Sequence, residues 1–382
     1  MSQQKTQQLV PLSSEPVALS AVNALGGRTG RFARSGNAGW WTPLRVIITL
    51  AWTFLAFGFL SKATCAGSRR GDDGTISLNW DGNRQYTSFC YNDIVPLYGG
   101  RGLDEPGFPY AYSWVEGDLT RYMEYPVLAG LFQGAVGWLA RNTYAAVEWT
   151  GMAEVSWYFG LTALVMALIW VGVIVMVFQL TGNRAWDTIL VAASPLVVIH
   201  AFTNWDIPSV AFMVGALLAV TKHKNLLAGV LIGLGTAFKL WPLFILGAFL
   251  VLAIRNKRWA PFITMFLSTI VTWVVVNLPV ALMYPEAWRE FFRLNKERGA
   301  EWTTIYALIN RTTDLSFSPE FLNTFSLVAF LLCCAGIALL GLKAPRTPRV
   351  AELVYLIIMA FLIFNKVCLL YTSDAADDSL RV

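Results

Sequence analysis

Apolar residues in this chain gather into long runs separated by short polar breaks. Nine runs stand out, roughly 44–61, 154–178, 187–203, 206–221, 225–240, 241–254, 259–283, 321–342 and 350–366. Each predicts a helix in lipid, because a bilayer core about 30 Å thick takes roughly 20 apolar helical residues. Several runs are short for that thickness. The breaks at Asn204-Trp205-Asp206 and Trp241-Pro242 predict tight re-turns or discontinuous helices. Pro195, Pro208 and Pro242 predict kinks, since proline removes a backbone donor and crowds the preceding turn. Alternating ten-residue strands are absent, which argues against a β-barrel. The pattern predicts an all-α polytopic membrane protein.

The segment 124–140 decides the topology. Read as a span, it sends the basic loops at Lys222-His-Lys224, Arg255-Asn-Lys-Arg258 and Lys343 to Arg349 outside, against the positive-inside bias. Read as a helix lying along the membrane surface, it leaves all three inside with Arg28, Arg31, Arg34 and Arg45. Its glycines and Pro126 suit the second reading. The N-terminus is then cytoplasmic. The first loop, about 62–153, the turn at 204–206, the helix end at Lys239, the 284–320 loop and Asn365-Lys366 then share the extracytoplasmic face.

Composition agrees with this. The chain has 382 residues, of which 56% are hydrophobic and 14% charged, against roughly 25% charged in a soluble domain. Its 16 Trp and 24 Phe suit interfacial anchors. The net charge of +5 is carried by loops that orient helices and needs no nucleic-acid partner. Residues 1–40 read as a disordered cytoplasmic tail and 41–367 as the transmembrane domain. The acidic segment 368–382 is unlike what precedes it. It resembles a non-native read-through tail, so the domain is expected to be truncated there.

Candidate chemistry sits in the polar breaks. Asp93 lies in Cys90-Tyr-Asn-Asp-Ile-Val-Pro-Leu-Tyr-Gly-Gly-Arg101, between Tyr91 and Tyr98. A carboxylate held among aromatic rings suits general-base activation of a sugar hydroxyl, and a turn or cap is the plainer role. Asp72, Asp73, Asp81, Asp104 and Glu105 lack that setting and read as solvated charges. Glu124 opens the 124–140 segment, as an acid favoured by a helix dipole or as a wall of an acceptor site. Asp206 reads as an N-cap or as a functional acid at a membrane boundary. Lys239 and Lys366 close apolar runs on the outer face, either snorkelling or binding a lipid phosphate. In the 284–320 loop, Glu286, Arg289, Glu290 and Arg293 alternate at helical spacing with Trp288, Phe291, Phe292 and Leu294, which predicts an amphipathic helix on the outer surface that covers the site or floats. Cys65 and Cys90 either bridge the base of the first loop or stay as separate thiols. Cys333 and Cys334 read as packing residues within a span.

No P-loop, GxGxxG, HExxH or paired CxxC motif is present, and His200 and His223 are the only histidines. A histidine-rich metal site is excluded. One divalent ion beside Asp93 is the remaining metal reading, and the lack of a second placed acid argues against it.

In order, Tyr91-Asn-Asp-Ile-Val-Pro-Leu-Tyr98, Glu124-Tyr-Pro126, Asn204-Trp-Asp206, Thr236-Ala-Phe-Lys239-Leu-Trp-Pro242 and Phe364-Asn-Lys-Val367 resemble actinobacterial membrane glycosyltransferases of the GT-C type. The likeness is greatest to glycosyltransferase family 87, the polyprenyl-phosphate-mannose-dependent α-mannosyltransferases, and covers about 44–367. It implies a GT-C helical bundle, a polyprenyl phosphate mannose donor, a glycolipid or lipoglycan acceptor, inversion and no cofactor. It also implies Asp93 as the catalytic acid of the first outer loop and Lys239 as a phosphate contact. Tyr91, Tyr98, Arg101, Glu124, Tyr125, Asp206, Asn365 and Lys366 complete the substrate-binding candidates. An arabinofuranosyl or other hexosyl transferase with a related donor is the alternative enzyme. A lipid or solute transporter is the alternative class, but transporters keep polar groups near the midplane of repeated halves, and no repeat is visible here.

Overall fold

A computed structural model describes residues 40–71, 76–78, 80, 84–301 and 304–367. The expectations for Asp72, Asp73 and Asp81, for the tail up to residue 39 and for 368–382 lie outside these residues.

The first long helix, α1 (Pro43–Ala66), starts where proline occupies its first turn and Thr42 accepts from the Arg45 N–H at 3.4 Å. The chain then folds outside the long helices. Strands β1 (Ser68–Arg70) and β2 (Ile76–Leu78) form an antiparallel pair. Short helices α2 (Arg84–Thr87) and α3 (Pro96–Gly100) follow. A second antiparallel pair, β3 (Ser113–Glu116) and β4 (Leu119–Tyr122), leads to α4 (Val127–Thr143) and α5 (Glu154–Thr181). A disulfide joins Cys65 and Cys90, with Cα atoms 5.8 Å apart, and ties the start of this region to the end of α1.

The apolar run 187–203 was expected to be one span. The structure breaks it into a 3-10 turn (Gly182–Thr188), α6 (Ile189–Ala192) and α7 (Pro195–His200). The cause is local: Ala193 leaves helical geometry at φ −112 and ψ 30, and Pro195 disfavours a helical residue before it. The expected kinks take a different form too. Pro195 and Pro208 sit in first turns, where a missing N–H costs nothing, and Pro242 lies in a 3-10 turn. Pro279 is the proline found inside a long helix.

Beyond the break run α8 (Ile207–Thr221), α9 (Asn225–Phe238), a 3-10 turn (Trp241–Phe244), α10 (Ile245–Asn256) and α11 (Trp259–Met283). Then come α12 (Pro285–Glu297), α13 (Ile305–Thr312), α14 (Pro319–Lys343) and α15 (Val350–Phe364). The protein is thus an all-α polytopic membrane protein. Helices α1, α5, α11 and α14 are long and apolar enough to cross a membrane, and α8, α9, the 241–256 segment and α15 are shorter and apolar.

Helix α4 packs on α5, α9 and α11. It also presents glycines to the first loop: side chains at Gly130 and Gly134 would collide with Tyr110 and Pro109. Loop residues Ile94, Leu97, Leu103 and Tyr110 therefore join one hydrophobic core with α4 and α5. A second core lies among α8, α9, α10, α14 and α15.

Helices α9 and α11 approach closely at Gly229, whose carbonyl accepts from Thr269 Oγ1 at 3.1 Å. A methyl at Gly229 would overlap Ser268 Oγ and the Met265 carbonyl, whereas Gly160 in α5 faces open space. Gly229→Ala is expected to destabilise the protein by about 1–3 kcal/mol through overpacking. Gly160→Ala is expected to stabilise it by about 0.5–1 kcal/mol through helix propensity. Thermal unfolding midpoints in detergent, moving in opposite directions, check both.

Candidate functional site

Asp93 is fully buried within the first loop. Its N–H donates to the Thr203 carbonyl at 2.7 Å, anchoring the loop to the turn after α7. Asn92 shapes the bend, accepting from the Val95 N–H at 2.9 Å and donating to the Cys90 carbonyl at 3.2 Å. The Tyr91 hydroxyl donates to Asp93 Oδ1 at 2.6 Å. Lys62, on the last turns of α1 and also buried, donates to the Tyr91 carbonyl at 2.7 Å. Lys62 closes the first apolar run, the same signal that marks Lys239 and Lys366, and was not singled out from the sequence.

Tyr98 turns away from Asp93. It stacks on Tyr158 with ring centres 4.3 Å apart and donates its hydroxyl to Glu154. Burial, reinforced by that carboxylate, pushes the Tyr98 phenol well above its ordinary range and keeps it protonated. Arg101 holds Glu124 with two bonds, 2.5 Å from Nε and 2.8 Å from Nη2, while its guanidinium lies 4.3 Å from the centre of the Trp114 ring. Glu124 is thus fixed by a guanidinium fork, and α4 starts only at Val127.

Asp206 occupies the N-cap position of α8, yet its side chain makes no capping bond. It pairs with Lys239, which follows α9. Tyr125 accepts from the Tyr110 hydroxyl at its carbonyl, 2.8 Å away, and meets Trp205 edge to face at 5.4 Å.

Two cavities adjoin here. The larger, about 380 Å³, is walled by Thr236, Leu243, Ile270, Trp273, Asn277 and Trp288 among others. The second, about 290 Å³, is lined by Glu124, Lys239, Asn295, Arg298 and Asn365 together with aromatic and aliphatic groups. Tyr125, Pro126, Leu240, Phe291 and Phe292 line both. The first space is apolar and the second bears charge, an arrangement suited to a ligand with a greasy chain and an anionic head.

Helix α12 covers both spaces with Phe291 and Phe292. It is fastened to the β3–β4 hairpin by ions. Arg121 contacts Glu116 at 2.7 Å and Glu290 and Glu297 at 3.3 Å each. Arg293 contacts Glu290 at 2.6 Å and the Thr120 carbonyl at 2.9 Å. Burial pushes the Glu290 carboxyl above the usual carboxylate range, and the two arginines oppose that shift.

Of the sequence candidates, Glu124, Tyr125, Lys239 and Asn365 meet at the charged cavity, with Asp206 behind Lys239. Asp93, Tyr91, Tyr98, Arg101 and Lys366 line neither cavity. Lys366 is buried and donates to the Arg298 carbonyl. Arg298, which directly follows α12, was missed: nothing local separates it from its exposed basic neighbours. Among the described residues, no group of three or more His, Cys, Asp or Glu side chains is placed to hold a metal ion.

The sequence model of glycosyltransferase family 87 matches residues 120–371, which takes in the charged cavity and begins beyond Asp93. No curated protein matches the chain.

The Arg101–Glu124 pair generates a direct prediction. Arg101→Gln strands a buried carboxylate and is expected to cost about 3–5 kcal/mol, whereas adding Glu124→Gln recovers much of that loss. Unfolding of the two variants in detergent measures the difference.

Proposed function

Because the chain belongs to glycosyltransferase family 87, we propose that it transfers mannose from polyprenyl phosphate mannose to a lipid-linked glycan with inversion. The observation that carries this reading is the pairing of spaces. Lys239 lines a charged cavity that shares walls with an apolar one. Donor phosphate suits the first and an isoprenoid chain the second.

The chemistry is a single displacement. An acceptor hydroxyl attacks the anomeric carbon, the bond from that carbon to the phosphate oxygen breaks, and the phosphate leaves with the electron pair. Lys239 stabilises the charge that develops on it. Asp93 takes the hydroxyl proton in this reading, sharing its carboxylate with the Tyr91 hydroxyl. One base and one phosphate-stabilising group suffice, and the displacement needs no cofactor.

One observation favours a second assignment of the base. Glu124 lines the charged cavity and Asp93 does not. Against it, both Glu124 oxygens are committed to Arg101.

We also propose a plasma-membrane location, with the site on the outer face and the N-terminus inside. The hairpins support it. Helices α8 and α9, α10 and α11, and α14 and α15 turn at the basic loops around Lys222, Arg255 and Lys343. Asp206, Lys239, Tyr284 and Asn365 stand at the opposite helix ends.

Membranes carrying the protein should move radiolabelled mannose from polyprenyl phosphate mannose to endogenous glycolipid. Asp93→Asn is expected to lower the rate by about 100-fold or more, and wild-type rates in that variant would remove Asp93 from the mechanism. A Glu124→Gln variant that folds yet loses transfer while Asp93→Asn retains it would move the base to Glu124. Transfer from a polyprenyl phosphate arabinofuranose or another hexose donor in place of mannose would reassign the sugar. Solute uptake without sugar transfer would favour a transporter.

A further inference from the structure

The charged cavity has a second cation that no sequence motif singled out. Its lining contains Lys239, Arg298 and one acid, Glu124. Glu124 is already neutralised by Arg101, and Lys239 is neutralised by Asp206. Those two pairs offer an incoming anion little net charge. Arg298 differs. Its ion pair with Glu301 is 3.4 Å at the nearest approach, too long for a tight bidentate hydrogen-bonded pair, and its side chain is about nine-tenths buried at the cavity wall.

The backbone that carries Arg298 is held from behind. Lys366 donates its ammonium to the Arg298 carbonyl, and the Lys366 carbonyl accepts from the Glu301 N–H at 3.1 Å. Asn365, the neighbour of Lys366, lines the same cavity. The segment after α15 therefore braces the segment after α12, so that Arg298 stays at the wall.

We propose that Arg298 is a phosphate-binding residue of this cavity, and that Lys366 is the positioning residue that braces it. The inference rests on the lipid-phosphate reading above and deepens it. A guanidinium can give a phosphate two parallel N–H bonds, which an ammonium cannot, and it remains charged at any working pH. Lys239 then gives the phosphate a point charge and Arg298 a planar pair of donors. Lys366, whose Nζ is engaged with a carbonyl, acts through Arg298. The ordinary alternative is that Arg298 merely complements the C-terminal dipole of α12, which would affect stability and leave anion selectivity unchanged.

The test uses the full chain in nanodiscs and compares binding of a polyprenyl monophosphate with that of the uncharged polyprenol of equal length. Wild type is expected to prefer the monophosphate. Arg298→Gln is expected to lose about tenfold of that preference, as for loss of a charge-assisted bond, with polyprenol binding unchanged. Arg298→Lys should recover part of it. Lys366→Met should lose less than Arg298→Gln. Glu301→Gln, which removes the competing carboxylate, should hold or raise the preference, and it keeps the test open if Arg298→Gln fails to fold. An unchanged preference in Arg298→Gln, or a lowered one in Glu301→Gln, overturns the assignment. If wild type binds the two lipids equally, the lipid-phosphate reading falls and takes this inference with it.

Discussion

A charge at the end of an apolar helix must find a partner or stay wet, and the ion pair between Asp206 and Lys239 is where this structure meets that rule. Lys239 closes α9, and Asp206 stands at the head of α8. The pair fixes how these two helix ends meet, and its lysine forms part of a charged wall. Arg101 and Glu124 follow the same logic a few residues from α4. These pairs, together with the roof of α12, gather polar side chains from distant parts of the chain around one space.

The roof depends on both kinds of force. Phe291 and Phe292 cover the cavities, while Arg121, Arg293 and Glu290 fasten the opposite face of α12 to a hairpin of the first loop. That loop is in turn tied to α1 by the bridge between Cys65 and Cys90 and to the 203 turn through the Asp93 N–H. The loop carrying Asp93 and the helix covering the cavities thus belong to one connected assembly. A change in either should be felt in the other.

Much of the fold was legible because long apolar runs have few alternatives in lipid. The run 187–203 failed as a single span because Pro195 outweighs its hydropathy. A helix was legible in segment 124–140 and runs from Val127 to Thr143, but its packing against the first loop depends on glycines that meet Tyr110 and Pro109, contacts with no local signature. At the site, Glu124, Tyr125, Lys239 and Asn365 were legible as polar groups that interrupt apolar sequence. Tyr98 was legible as an aromatic beside an acid, but its partners, Tyr158 and Glu154, lie far along the chain. Arg298 was not legible, because Lys366, which donates to its carbonyl, lies beyond three further helices.

The space beneath α12 is the one proposed to receive a lipid-phosphate sugar. Photocrosslinking tests it most directly, with a polyprenyl phosphate bearing a photoreactive group near its phosphate, added to the full chain in nanodiscs and mapped by mass spectrometry. The account predicts labels on the segments around Lys239 to Trp241 and Phe291 to Arg298, competed away by unlabelled polyprenyl phosphate. Labels confined to the outward, lipid-facing surfaces of α1, α11 and α14, and unaffected by competitor, would contradict it.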